Sequence, residues 1–198
     1  MEMKKLHFDQ ILPFAQKLLT QAVKQGDTAI DCTMGNGHDT IFLAKLVGKS
    51  GYVHAFDIQQ DALNNTTERL KSEELSDRVT LHLHSHAHVN ECVPKDEHDK
   101  ITGAIFNLGY LPGGDKAIVT QATSTVQAVG KLLDIMATNA VIVLVIYHGH
   151  QEGKFERDTL LQYVATIPRE IADVIEYRFL NHQNSPPFII AIEKKQKH

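Results

Sequence analysis

The residues between Asp31 and Asp57 have the types and spacing of a nucleoside-binding site. A short apolar run ends at Asp31, a turn with Gly35 and Gly37 follows, and a second apolar run ends at Asp57, twenty residues past Gly37. Glycines let the backbone approach a ligand closely, and a carboxylate at the end of the second strand can accept hydrogen bonds from both ribose hydroxyls. A plain strand–turn–helix without a ligand is the alternative interpretation of this pattern.

The residues after Gly37 indicate which nucleoside would bind. Thr40 stands where the dinucleotide-binding motif has its third glycine, which normally permits tight packing under a pyrophosphate. Asp39 would place a negative charge at a helix N-terminus, where a pyrophosphate would otherwise sit. The pattern therefore favours a ligand without phosphate groups, such as S-adenosylmethionine (SAM), over a dinucleotide.

Composition sets further bounds on the protein. The chain has 198 residues, of which 42% are hydrophobic and 22% charged, and this suits one globular domain over residues 1–198. No apolar run reaches the roughly 18 residues needed to span a bilayer, so we expect no membrane partner. Two cysteines do not make a disulfide framework, and the N-terminus lacks a signal pattern, so we expect a cytoplasmic protein. The net charge of −4 predicts no global nucleic-acid footprint.

The elements that must position these residues alternate between strand and helix patterns. A helical periodicity over 11–25 stops at Gly26. Strands that alternate with helices predict a parallel sheet, and two last strands with no helix between them predict a hairpin. We expect an α/β fold with a Rossmann-like, seven-stranded, mostly parallel sheet, helices on both faces and a C-terminal antiparallel hairpin. The predicted strands lie near 28–32, 52–57, 79–85, 101–107, 140–147, 173–181 and 187–193, and the later helices near 38–47, 60–71, 115–137 and 154–166.

This order of elements resembles that of the class I SAM-dependent methyltransferases, over essentially the whole chain. The segment 31–37 resembles the first motif of that family, with Thr33 where a glycine is usual, and Asp57 resembles the ribose-binding acid of its second motif. Where the family often has an acid for the adenine amino group, this chain has Ser85 and His86. The resemblance implies SAM as the cofactor and a cofactor site formed by Asp31, Met34, Gly35, Asn36, Gly37, Asp39, Thr40, Asp57, Ile58, Gln60, Ser85, His86 and Asn107.

A further motif, which would bind the methyl acceptor, lies at the end of the fourth predicted strand. Residues 107–112, NLGYLP, resemble the Asn/Asp-Pro-Pro-Tyr motif of amino methyltransferases, with Leu and Gly in place of its two prolines. The resemblance implies that Asn107 orients a target amino group and that Tyr110 stacks on the target base. An alkyl ammonium, with a pKa near about 10, has no lone pair, so a proton acceptor would help. His148, directly after the fifth strand, is the catalytic candidate for that role, with substrate positioning as the alternative. Further polar candidates at this edge are Asp115 and Tyr147.

Longer runs narrow the resemblance. NLGYLPGGDK, with DCTMGNGHDT before it and YHGH after it, is similar to a small bacterial family first described as rRNA methylases and now understood as tRNA 5-(aminomethyl)-2-thiouridine methyltransferases. The resemblance implies methylation of the aminomethyl nitrogen on the wobble uridine, with the anticodon loop of tRNA as partner. The alternatives are methylation of another amine in rRNA or a small molecule, an NAD-dependent oxidoreductase, and a non-catalytic RNA-binding module. The oligomeric state stays open, a homodimer included.

Histidines and scattered basic residues complete the candidates. His82, His84, His86 and His88 would share one face if the third strand extended that far. Adjacent ligands on a flat strand rarely converge on one tetrahedral ion, so we expect no metal site. We expect His82 and His84 to pack under a helix, and His86 and His88 to line the adenine end. The candidates for phosphate contacts are Lys4, Lys5, Arg178, Lys194 and Lys195.

Overall fold

The computed structural model describes residues 8–109, 113, 120–149 and 151–196. Within these residues, apolar runs form seven strands: β1 (Thr28–Asp31), β2 (Tyr52–Asp57), β3 (Val79–Leu83), β4 (Ile101–Leu108), β5 (Val141–Ile146), β6 (Ala172–Tyr177) and β7 (Phe188–Lys194). The α-helices are α1 (Ile11–Ala22), α2 (His38–Val47), α3 (Gln60–Ser72), α4 (Val89–Cys92), α5 (Ala122–Ile135) and α6 (Gln151–Ala165).

The strands form one sheet in the order β3-β2-β1-β4-β5-β7-β6. The first five strands in this order pair in parallel, whereas β7 pairs antiparallel with both β5 and β6. The strand order reverses between β1 and β4, and the carboxyl ends of such neighbouring strands leave a crevice in which ligands bind. The predicted seven-stranded fold with a C-terminal antiparallel hairpin is confirmed.

Each face of the sheet carries its own apolar core because successive strand residues point to opposite sides. On one side, α1, α2 and α3 cover residues such as Ala29, Val53 and Ile105. On the other, α4, α5 and α6 cover residues such as Phe106 and Leu144. Burial on both faces explains the uninterrupted apolar run of β5, which is typical of a central strand in a covered sheet.

Several predicted boundaries were wrong. The first helix ends at Ala22 rather than at residue 25, and β6 ends at Tyr177 rather than at residue 181. The predicted helix over 115–137 begins at Ala122 within the described residues, while 115–119 lie outside them. The short helix α4 was not predicted, because four residues are too few to show a helical period.

The predicted histidine face was wrong because β3 ends at Leu83 and the chain then turns into a 3₁₀ segment at His86–His88. His82 stays on the strand, where its Nε2 lies 3.0 Å from Nδ1 of the buried His54. Burial, and then the nearby imidazoles of His54 and His84, lower the pKa of His82 to about 4. The side chain of His88 pairs instead with Glu91, at 3.1 Å. The rings of His84 and His88 meet edge-on, with centroids 4.5 Å apart, and His84 and His86 line the cavity described below, whereas His88 does not.

Candidate active site at the carboxyl edge of the sheet

A cavity of about 1200 Å³ opens at the carboxyl ends of β1, β2, β4 and β5. The glycine turn after β1 and the residues after β2 and β3 form one end of it. The ends of β4 and β5 form the other end, and α1 and the start of α5 complete the wall. The reversal of strand order between β1 and β4 thus produces one crevice with two sets of side chains in its wall. One set follows β1, β2 and β3, and the other follows β4 and β5.

Asp57 provides the carboxylate at the first end of the cavity. Its Oδ2 accepts a hydrogen bond from the backbone N–H of Gly35 at 3.1 Å, and its Oδ1 accepts one from that of Gln59 at 3.0 Å. Burial raises the pKa of Asp57, and hydrogen bonds from the backbones of Gln59, Gly35 and Ile58 counter part of this rise. Each carboxylate oxygen can accept more than one hydrogen bond, so capacity remains for ligand hydroxyls.

The two glycines of the turn serve different purposes. Gly35 lines the cavity, whereas Gly37 does not. Gly37 has φ +79°, and a Cβ there would lie 2.9 Å from Oγ1 of Thr66 on α3. The absence of a side chain at Gly37 therefore permits helix packing and a left-handed backbone, rather than the predicted approach to a ligand.

His86 forms the wall near the end of β3. Its Nδ1 lies 2.8 Å from the carbonyl oxygen of Cys32, so the Nδ1–H donates and Nε2 is left as an acceptor in the neutral ring. This Nε2 is buried and has no hydrogen-bond partner among the described residues. Burial also lowers the pKa of His86, which favours the neutral ring. His86 therefore offers an acceptor to a ligand that donates at this end.

Asp31 and Thr40 lie beneath the cavity rather than in its wall. Asp31 is only 1% exposed, and its carboxylate accepts hydrogen bonds from Oγ1 of Thr40 at 2.6 Å and from the backbone N–H of Thr33 at 3.1 Å. Burial, and then the nearby charge of Asp39, raise the pKa of Asp31 to about 7. Thr40, at the position of the third glycine in dinucleotide-binding proteins, thus holds the side chain of Asp31 below the cavity.

Asp39 and Asn107 meet at the other end of the cavity. Asp39 lies in the first turn of α2, and its carboxylate accepts a short hydrogen bond from the side-chain N–H of Asn107. Oγ1 of Thr33 accepts the backbone N–H of Asn107 at 2.7 Å, so the unusual threonine of the first motif holds the end of β4. Burial raises the pKa of Asp39, while His38 and the hydrogen bond from Asn107 counter this.

Tyr147 and His148 follow β5 and line the same end. Tyr147 is 38% exposed, and burial, followed by the charge of Asp39, raises the pKa of its hydroxyl. The ring of His148 packs edge-on against Phe188, with centroids 5.4 Å apart. The predicted stacking residue Tyr110 lies outside the described residues, as does Asp115. Among the described residues of the cavity wall, Tyr147 is therefore the tyrosine at the acceptor end.

The charged groups of the described cavity wall are carboxylates. Asp39 and Asp57 line it, and among its described lining residues there is no lysine or arginine. Carboxylates without a basic partner attract cationic ligands and repel phosphates. The expected preference for a ligand without phosphate groups agrees with this distribution.

The structure brings together most of the predicted site residues. Those in the cavity wall are Met34, Gly35, Asn36, Asp39, Asp57, Ile58, Ser85, His86, Asn107 and His148. Four other predicted cofactor residues do not line it: Asp31, Gly37, Thr40 and Gln60. The side chain of Gln60 instead donates to Asn64 on the exposed side of α3, and the neighbouring Gln59 faces the cavity.

The sequence analysis missed residues of the cavity wall that lie outside the motifs. These are Leu12 and Gln16 of α1, Ser185, and, around the start of α5, Thr120, Gln121, Thr123 and Ser124. They carry no motif, and only the packing of α1 and α5 over the sheet edge brings them to the site. The amphipathic period of α1 identified its buried face but not which end of it would meet a ligand.

Of the proposed phosphate contacts, Arg178 lines a second cavity, described below. Lys194 is buried, and its Nζ donates to the carbonyl oxygen of Met136. Lys195 pairs with Asp173 at 2.8 Å, at the amino end of β6. Lys4 and Lys5 lie outside the described residues. The interpretation of Lys194 as a surface phosphate contact was therefore wrong.

Comparison with known proteins identifies the family of this chain. A family described as "Putative rRNA methylase" matches residues 53–193. The chain is 33% identical over 183 residues to the chloroplastic tRNA (mnm(5)s(2)U34)-methyltransferase of Arabidopsis thaliana, covering 88% of this chain and 66% of that protein. No helix among the described residues has the length and apolar character needed to cross a membrane.

Two solved structures share the whole fold. An rRNA methylase-like protein from Clostridium thermocellum is 38% identical, with a TM-score of 0.91 and coverage of 96% of this chain and 100% of that one. A Streptococcus mutans protein described as a methyltransferase in complex with SAH is 34% identical, with a TM-score of 0.85 and coverage of 95% and 99%. The family match begins in β2, after β1 and the glycine turn, and covers Asp57, Asn107 and His148, and the chain belongs to the family described as "Putative rRNA methylase".

Proposed function

We propose that this protein is a SAM-dependent methyltransferase that methylates the aminomethyl nitrogen of 5-aminomethyl-2-thiouridine at the wobble position of tRNA, giving 5-methylaminomethyl-2-thiouridine. The observation that carries the proposal is that Asp57 and Asn107, at the ends of strands on either side of β1, line one cavity. The name of the Arabidopsis thaliana relative supports the substrate, and the SAH in the Streptococcus mutans relative supports the cofactor.

The residues at the Asp57 end fit SAM. Asp57 accepts from the ribose hydroxyls, and the buried Nε2 of His86 accepts from the amino group of the adenine. Ile58, which is 60% exposed in the cavity wall, gives the base an apolar surface. When bound, SAM supplies a methyl group activated by a positive sulfonium, and the carboxylate of Asp57 favours that charge.

Asn107 presents its amide oxygen to the acceptor because of Asp39. A carboxylate only accepts hydrogen bonds, so the contact directs the amide N–H₂ of Asn107 toward Asp39. The amide oxygen is then left to accept from the N–H of a target amine. A substrate amine held in this way keeps its nitrogen in one orientation, and such positioning accounts for much of the rate of a displacement reaction.

The amine must also lose a proton before it can react, since an ammonium has no lone pair. His148 and Asp39 both line the acceptor end, and we assign His148 as the proton acceptor. Asp39 favours binding of the cationic amine through its charge. Tyr147 offers its ring to the target base, as a described counterpart of the role predicted for Tyr110.

Purified protein with SAM and two matched tRNAs tests the proposal. The first tRNA carries 5-aminomethyl-2-thiouridine, and the second lacks only the aminomethyl group. Nucleoside mass spectrometry should find the methylated product in the first tRNA and no methyl transfer to the second, because the second has no alkyl amine. Equal methylation of both tRNAs, or methylation of ribosomal RNA alone, would instead support another acceptor.

A further inference from the structure

A second cavity, of about 490 Å³, adjoins the first. His148 lies in the wall of both, so the two cavities meet at the carboxyl end of β5. Arg157 comes from the first half of α6, and Arg178 and Phe179 come directly after β6. Because β6 runs parallel to β5, its carboxyl end lies at the same sheet edge as the catalytic cavity.

The two cavities differ in charge. The described wall of the catalytic cavity has carboxylates and no lysine or arginine, whereas that of the second cavity has two arginines and one carboxylate, Asp158. Arg157 pairs with Asp158 at 2.8 Å, and Arg178 pairs with Glu176 at 3.0 Å. Both carboxylates are close neighbours of their arginine in the chain, and ion pairs this exposed to solvent are weak. The guanidinium groups can therefore bind an incoming phosphate in their planar, bidentate geometry.

Apolar and aromatic side chains lie beside these arginines. Leu180 is 83% exposed, and the ring of Phe179 stacks on that of His182, with centroids 4.4 Å apart and planes 8° apart. Nucleobases of single-stranded RNA bind by stacking on such rings while basic side chains contact their phosphates. Both kinds of surface occur together here.

We propose that this second cavity binds the single-stranded RNA that flanks the methylated nucleotide. The proposal rests on the proposed function, in which the acceptor is a nucleotide of RNA. Only the target nucleoside enters the catalytic cavity, since its carboxylates repel phosphates. The adjoining single-stranded RNA passes His148. Its phosphates contact Arg157 and Arg178, and a flanking base packs against Phe179 and Leu180.

The test is RNA binding measured without methyl transfer. Fluorescence anisotropy of a labelled, unmodified tRNA transcript is followed over a series of salt concentrations. The variant Arg157→Ala/Arg178→Ala removes both cations, and Arg157→Lys/Arg178→Lys keeps their charge. Arg169→Ala is the matched control, because Arg169 also has a carboxylate partner, Asp173, but lies at the amino end of β6. SAM affinity by calorimetry reports that each variant is folded.

We expect the double alanine variant to bind the transcript at least about tenfold more weakly and its salt slope to fall by about 1.4, or about 0.7 for each phosphate that is no longer neutralised. The double lysine variant should retain most of the slope, and Arg169→Ala and SAM affinity should not change. Unaltered RNA affinity and slope in the double alanine variant would overturn the proposal while leaving the proposed function intact. Failure of the wild-type protein to bind the transcript would also overturn this proposal, whereas methyl transfer to the modified tRNA decides the proposed function separately. A change of oligomeric state in the double alanine variant, seen by sedimentation, would make this face an interface between copies and overturn the proposal.

Discussion

The carboxylate of Asp39 accepts a hydrogen bond from the side chain of Asn107, although 68 positions separate the two residues in the sequence. The contact joins the first turn of α2 to the end of β4, across the point where the strand order reverses. A sequence motif for the cofactor and a sequence motif for the acceptor therefore share one hydrogen bond. Asp39, predicted as a cofactor contact, instead contacts the residue predicted to orient the acceptor.

Asp39→Asn tests this relationship. An asparagine at this position can donate as well as accept, so the amide of Asn107 is no longer held in one orientation. We expect kcat for methyl transfer to fall by about tenfold or more, with SAM affinity within a few-fold of wild type. Steady-state kinetics and calorimetry measure the two quantities, and Asn107→Ala should show the same separation with a larger loss. A parallel loss of SAM affinity would place Asp39 at the cofactor end, as its motif predicted.

Asp57→Ala should have the opposite effect. The variant loses charge-assisted hydrogen bonds to the ribose, which contribute about 1.5–3 kcal/mol, so SAM should bind at least about tenfold more weakly. Calorimetry on the folded variant measures this. The control is Asp61→Ala, which removes an exposed carboxylate from the first turn of α3. Unchanged SAM affinity in Asp57→Ala would refute the role of Asp57.

The rate of methyl transfer should depend on pH. The reactive fraction of an alkyl amine grows as pH rises toward its pKa, so the single-turnover rate at saturating SAM and tRNA should increase from about pH 6 to about pH 9. If His148 accepts the proton, His148→Ala should lower the rate most above about pH 6.5, where imidazole is neutral. A constant loss at every pH would indicate that His148 only positions the substrate. A flat wild-type profile with rate-limiting chemistry would argue against an alkyl amine.

Asp31 should make stability depend on pH. Its pKa is about 7 in the folded protein and 3.8 ordinarily, so the folded state binds the proton more tightly. Its contribution to the free energy of unfolding is therefore fully present below about pH 4 and is lost as pH rises toward about 7. Asp31→Asn is neutral throughout and lacks this loss. Relative to wild type, the variant should gain about 3 kcal/mol between pH 5 and pH 8, as measured by urea unfolding. An equal stability difference at both pH values would contradict the raised pKa of Asp31.

The sequence alone determined the order of elements and placed side chains at both ends of the cavity. Alternating strand and helix patterns predicted the sheet, and side chains that directly follow parallel strands must meet at one edge of it. For this reason Asp57, Asn107 and His148 could be assigned to a common site before their distances were known. Motif spacing failed within the turns, where Gly37 supports helix packing and Thr40 anchors Asp31.

Tertiary structure decided what the motifs touch. The contact from Asp39 to Asn107, the hydrogen bond from Asn107 to Thr33, and the second cavity with its two arginines depend on the packing of elements distant in the chain. The four histidines at 82, 84, 86 and 88 do not share one face for the same reason. Their alternation has the period of a strand, but β3 ends at Leu83 and the next residues turn. The alternation of residue types along a segment indicates which way neighbouring side chains would point if the segment were a strand. Long-range packing decides where the strand ends and which partners it contacts.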